Sequence, residues 1–140
     1  MSTIDAYQRA LALAIAHGGG EVPGVRCEDV ARLAAIAARK RLAAVRATLP
    51  RMLAALGREE FDRRYRAFAA ERMPCGPEGY REEAIAFARR LGGPVARREA
   101  RLAAAHGPGR SFAAVRDGRR LTLLARFRNG SRLHVVQLGR

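Results

Sequence analysis

The chain has 140 residues, nearly half of them apolar, and a formal net charge of +14. That length fits one domain, or one helical body with a small appended sheet. No stretch approaches the roughly 20 uninterrupted apolar residues of a membrane span, and no basic region precedes the first apolar stretch as a secretory signal requires.

Charge is unevenly spread. Residues 1–109 carry 19 basic and 12 acidic groups, whereas residues 110–140 carry 8 and 1, so each part contributes +7. The excess is several-fold denser in the tail. Such a field attracts nucleic acid, anionic membrane or an acidic protein or peptide.

Chain order begins with a helix near Ser2-Thr3-Ile4-Asp5, with Tyr7, Leu11 and Ile15 at spacings of four and a stop at His17-Gly18-Gly19-Gly20. A long helix is predicted over about 28–47. Glu28 and Asp29 suit its positive end, Arg46 suits its negative end, and Val30, Leu33, Ile36, Ala37 and Ala44 supply apolar faces. Arg32, Arg39 and Arg46 recur every seven residues, the pattern of a solvated face.

Pro50 suits a first helical turn and Gly57 closes that short helix. The next, about 59–72, places Phe61, Tyr65 and Phe68 on one face at the ordinary core period. After a Gly/Pro loop at 73–77, Tyr80, Ala84, Phe87 and Leu91 mark a fifth helix. Pro94 opens a sixth, reaching about Ala105. The period then changes. Runs at 110–116, 119–128 and 131–139 read as strands, and Asp117-Gly118 and Asn129-Gly130 between them favour hairpin turns. In the middle run Leu121, Leu123, Ala125 and Phe127 alternate with Arg120, Thr122, Leu124, Arg126 and Arg128. The first set is expected to pack on helices and the second to stay basic and wet.

The predicted fold is therefore α+β: an N-terminal helical domain of about six helices over 1–107, then a three-stranded antiparallel meander over 108–140 packed on it. Catalytic chemistry is not expected. His17, His106 and His134 lack metal-ligand spacing to any carboxylate or cysteine, so no metal site is predicted. Glu59-Glu60 and Glu82-Glu83 fall in first helical turns, where negative charge stabilises a helix. Gly18-Gly19-Gly20 follows a helix, whereas a phosphate loop follows a strand. Cys27 and Cys75 read as free thiols in a reducing cytoplasm, with one disulfide between them as the alternative.

Leu49-Pro50, Leu53, Leu56-Gly57, Phe61, Tyr65, Phe68 and Pro74, followed by Ala86-Phe87, form a pattern over roughly residues 30–140. It resembles the small accessory subunits of multinuclear non-haem iron-dependent oxidases that modify cysteines in ribosomally made peptides, a family related to one labelled a putative DNA-binding domain. The resemblance implies a chain without a cofactor of its own, the iron residing in the oxidase. Such a chain docks on that enzyme and recruits the precursor peptide, partly by adding its leader as a strand.

On that reading Leu49, Pro50, Tyr65 and Tyr80 belong to the partner interface. Arg116, Arg119, Arg126, Arg128, Arg132 and His134 belong to the peptide site, where the arginines favour an acidic leader. The alternative is a DNA- or RNA-binding protein of helix-turn-helix type. It is motivated by the charge and opposed by Glu28-Asp29, which open the most basic helix where phosphate would sit.

Overall fold

The structure, a computed structural model, describes residues 3–72, 79–107, 111–127 and 132–139. Among the described residues, six helices precede a three-stranded antiparallel sheet, the α+β order the sequence predicts. The helices are α1 (Thr3–Ala16), α2 (Cys27–Thr48), α3 (Pro50–Leu56), α4 (Arg58–Ala70), α5 (Gly79–Leu91) and α6 (Gly93–Ala105). The strands are β1 (Ser111–Asp117), β2 (Arg120–Arg126) and β3 (His134–Leu138), in spatial order β1-β2-β3. Among the described residues no helix is long and apolar enough to cross a membrane.

The main core lies among α2 to α6. Phe61, Tyr65 and Phe68 of α4 all turn inward against Phe87 of α5, with the Phe61 and Tyr65 rings each 5.4 Å from the Phe87 ring and nearly perpendicular to it. Edge-to-face contacts of this kind add to the roughly 1.5–3 kcal/mol that burying each large side chain contributes. Leu42, Val45, Leu49 and Met52 complete this core. The four-residue spacing in α4 is thus a core stripe, as its period indicates.

On α2 the apolar face differs from expectation. Val30, Ala34, Leu42 and Val45 are buried, but Leu33 and Ile36 are exposed. Val30 packs instead on Ala14 and Val22 in a second, smaller cluster that holds α1. Arg46, read as part of a solvated stripe, is an ion-pair partner of Asp62. The corners between α3 and α4 and between α5 and α6 are single residues, Gly57 and Gly92. A helix-turn-helix usually has a turn of about three to four residues.

The sheet joins the helices through a third cluster. Ala113 and Leu124 are buried with Ala105 of α6, and Leu102 and Leu133 pack at its margin. Ser111 Oγ donates to the Ala105 carbonyl at 2.8 Å, fixing the start of β1 to the end of α6. The hairpin turn is shifted by one residue from the expected dipeptide. Asp117 pairs with Arg120, so the loop is Gly118-Arg119. Gly118 has φ +58, and among the described residues every positive φ belongs to a glycine. A glycine at the first loop position followed by a residue of ordinary φ is the pattern of a type II′ turn. The second expected turn, Asn129-Gly130, lies outside the described residues, as do Arg128, Cys75 and the Ser2 cap.

Candidate functional site

The sheet is where the charge-dense tail takes shape, and its register decides which groups it offers. Ser111 pairs with Arg126, Ala113 with Leu124 and Val115 with Thr122. Because side chains alternate across a strand, burial of Ala113, Val115 and Leu124 assigns this set to the helical side. The expected facing of β2 is therefore reversed. The face carrying Thr122, Leu124 and Arg126 packs on α6, and the face carrying Leu121, Leu123, Ala125 and Phe127 turns outward. Alternation alone could not decide this, since both sets contain large apolar residues. The small Ala105 at the end of α6 accepts Leu124, and that contact sets the side.

The outward face forms three cross-strand rows. Phe112, Ala125 and His134 make the first, Ala114, Leu123 and Val136 the second, and Arg116, Leu121 and Leu138 the third. Phe127 stands beside the first row, its ring 5.9 Å from that of His134.

The edge of the sheet follows from the same register. The two-residue loop makes Asp117 and Arg120 a hydrogen-bonded pair, and such pairs alternate along an antiparallel ladder. Leu121, Leu123 and Ala125 thus turn their main-chain groups toward β3. On β3, Leu138, Val136 and His134 answer them, while Val135 and Gln137 direct N–H and C=O away from the sheet. All five residues of β3 are exposed, and no described strand lies on its outer side. At the opposite edge, β1 runs beside α6, and a groove of about 600 Å³ between them is lined by Arg101, Ala104, Phe112 and Ala114.

The arginines predicted for the peptide site do not act alike. Arg116, Arg119 and Arg132 are exposed, as is His134. Arg116 also donates from Nε to the Gly118 carbonyl at 3.2 Å, so its charge is held at the hairpin end. Arg126 is different. It faces the helical body, donates from Nη1 to the Gly107 carbonyl, and buries an Nε that has no partner among the described residues. Arg126 is a tether between sheet and helices and offers little charge to a ligand. Arg128 lies outside the described residues.

The residues expected at the partner interface also separate. Leu49 is fully buried and Tyr65 nearly so, and neither side chain presents a surface to another protein. Leu49 sits at the junction of α2 and α3, where the change of direction drives its side chain into the core. Pro50 is exposed and Tyr80 half-buried.

Tyr65 belongs to a polar network that the sequence did not announce. Glu83 Oε2 accepts from Arg41 Nε at 2.7 Å, and its Oε1 lies 2.6 Å from Arg41 Nη2 and accepts from Tyr65 Oη at 2.8 Å. Arg41 also donates to the Arg72 carbonyl at 3.2 Å. Burial works against the Arg41 charge, yet the hydrogen bond and charge of Glu83 leave that guanidinium held above its ordinary value. Burial, then the bond to Glu83, pushes the Tyr65 phenol far up. By sequence position Glu83 is a dipole-favouring charge in a first helical turn. Its fixed partners make it a structural link between α2, α4 and α5.

Glu99 of α6 is a second buried carboxylate. Its Oε2 accepts from the main-chain N–H of Arg51 at 3.1 Å and of Met52 at 3.5 Å, capping α3 from outside. Desolvation raises its pKa against the pull of those two donors. Neither carboxylate has a spacing or motif that could have revealed these partners, because Arg41 and Glu83 are 42 residues apart in sequence and Arg51 and Glu99 are 48 apart.

Among the described residues no group of three or more His, Cys, Asp or Glu is placed to hold a metal ion. His106 donates from Nδ1 to the Leu102 carbonyl at 2.8 Å, an end cap for α6. Cys27 is an exposed free thiol at the start of α2. Comparison with family models, with curated proteins and with solved structures gives no match.

Proposed function

We propose that the chain is a non-catalytic partner subunit that binds a non-haem iron-dependent oxidase in the cytoplasm and recruits its ribosomally made precursor peptide. The peptide's acidic leader adds as a strand along the outer side of β3. The observation that carries this reading is the edge itself. Val135 and Gln137 direct main-chain donors and acceptors outward from a strand whose every residue is exposed. An extended peptide satisfies those groups by main-chain hydrogen bonds, and alternate side chains supply selectivity. Arg132 and His134 flank one end of β3, and Arg119 stands near the other, where Gly139 approaches the Arg119 carbonyl. An acidic leader meets complementary charge at both ends. The resemblance of the Leu49-Pro50 to Phe87 pattern to oxidase accessory subunits supplies the enzyme partner and the place of the iron, in that enzyme.

A nucleic-acid partner remains the competing use of the charge. The single-residue corners at Gly57 and Gly92 and the acidic start of α2 favour the peptide over a helix-turn-helix reader.

The test is fluorescence anisotropy with a labelled synthetic leader of the precursor peptide encoded beside the oxidase, titrated with the full chain. Gln137→Pro removes an outward N–H without touching the bonds to β2, since proline is tolerated at an edge. It is expected to weaken leader binding at least tenfold, while Arg132→Glu weakens it and flattens its salt dependence. Unchanged binding by Gln137→Pro, or a duplex DNA probe bound more tightly than the leader at moderate salt, would overturn the reading.

A further inference from the structure

The outward face of the sheet is unusual for a surface. An antiparallel sheet with one side packed on helices ordinarily alternates to polar residues on the other. Here the other side keeps Phe112 75% exposed, Phe127 70%, Leu138 50% and Val136 48%, with Leu121, Leu123, Ala114 and Ala125 between them. These residues occupy adjacent rows on three strands, so they form one continuous apolar surface and not scattered exposures. Contiguous patches of this kind with a polar rim mark interaction sites.

The rim identifies the occupant. Arg116 and Arg119 stand at the hairpin end and Arg132 at the other, all exposed. A second copy of the chain would bring two such sets of guanidinium groups together around the apolar contact, and like charges opposed across an interface are costly. A partner with carboxylates around an apolar patch gains where a second copy loses. A lone extended peptide is already satisfied by the β3 edge and is too narrow to cover rows that cross three strands.

We infer that the outward sheet face docks a folded acidic protein through an apolar patch bordered by carboxylates. Resting on the function proposed above, that protein is the oxidase subunit. The sheet then serves two partners at once, the enzyme on its face and the leader along its β3 edge, which places the leader beside the enzyme. This replaces the interface expected around Leu49 and Tyr65, whose side chains are in the core.

The experiment measures capture of the purified oxidase by the full-length chain in biolayer interferometry, with leader binding followed separately by anisotropy. The double variant Phe112→Ser/Phe127→Ser is expected to lower oxidase affinity at least tenfold and leave leader affinity within twofold. Its circular dichroism melt should match wild type, because both rings are exposed. Arg116→Glu, which leaves the apolar residues of the face intact, is expected to slow association and reduce its dependence on salt. Oxidase capture unchanged in both variants would overturn the docking face while leaving the leader-binding reading standing. A wild-type dimer in light scattering that the Phe variant splits would assign the face to a second copy and overturn the inference. Leader binding without any oxidase capture by wild type would remove the partner and the inference together.

Discussion

Leu124 of β2 lies directly opposite Ala113 of β1, and both side chains are buried against Ala105 at the end of α6. Every other facing in the sheet follows from that pair. One residue to either side along β2, Leu123 and Ala125 project to the opposite surface beside Val136 and His134. A single packing contact thus decides that the apolar set is displayed and that Arg126 is turned toward the Gly107 carbonyl.

Leu124→Ala is therefore expected to cost about 2–5 kcal/mol, the range for deleting a buried leucine side chain, and to loosen the sheet from α6. Leu123→Ala, on the outer surface and half-buried, should cost well under half as much. Urea unfolding followed by circular dichroism measures both. Equal losses would mean that the two faces are equally packed, and the facing described for β2 would be wrong.

The order of elements was legible because its signals are local. Pro50, Gly57, Pro94 and the Asp117-Gly118 step punctuate the chain within a residue or two of the observed boundaries. The aromatic period of α4 was equally direct, and it also conflicts with the assignment of Tyr65 to a partner surface. Burial resolved that conflict in favour of the core. What sequence could not supply was any choice between two apolar alternatives. Leu33 and Ile36 on α2, and Leu121 and Leu123 on β2, are as hydrophobic as Val30 and Leu124, and only the shape of the neighbouring helix selects among them. Arg126 shows the same limit for charge, since an arginine reads as solvent-seeking until a free carbonyl at a helix end appears beside it.

The Arg41–Glu83–Tyr65 network gives the next prediction. Arg41→Ala leaves the Glu83 carboxylate buried without its cation, a change that typically costs about 3–5 kcal/mol. Tyr65→Phe removes one hydrogen bond to a charged acceptor and should cost about 1.5–3 kcal/mol. The two residues share an acceptor, so their effects should not add. A double-mutant cycle on denaturant stability checks this. Strict additivity would mean that Glu83 does not couple them.

Glu99 adds a pH dependence whose sign is fixed by its burial. Its pKa is raised in the folded chain, mainly by desolvation and despite the N–H groups of Arg51 and Met52. Between the ordinary carboxylate value and the raised one, the folded state holds a proton that the unfolded state has lost, so stability falls as pH rises through that window. Below the window both states are protonated, and above it both are ionised and the penalty is constant. Glu99→Gln keeps an oxygen for the two N–H groups but cannot ionise. Its melting temperature should therefore lack the wild-type decline across the window and equal or exceed that of wild type at neutral pH. Glu99→Ala strips the cap from α3 and should be destabilised at every pH, by about 0.5–2 kcal/mol. The comparison of Gln with Ala separates the carboxylate's charge, which opposes folding, from its oxygen, which supports it. Parallel pH profiles for wild type and Glu99→Gln would show that the side chain reaches water and that α3 is capped by something else.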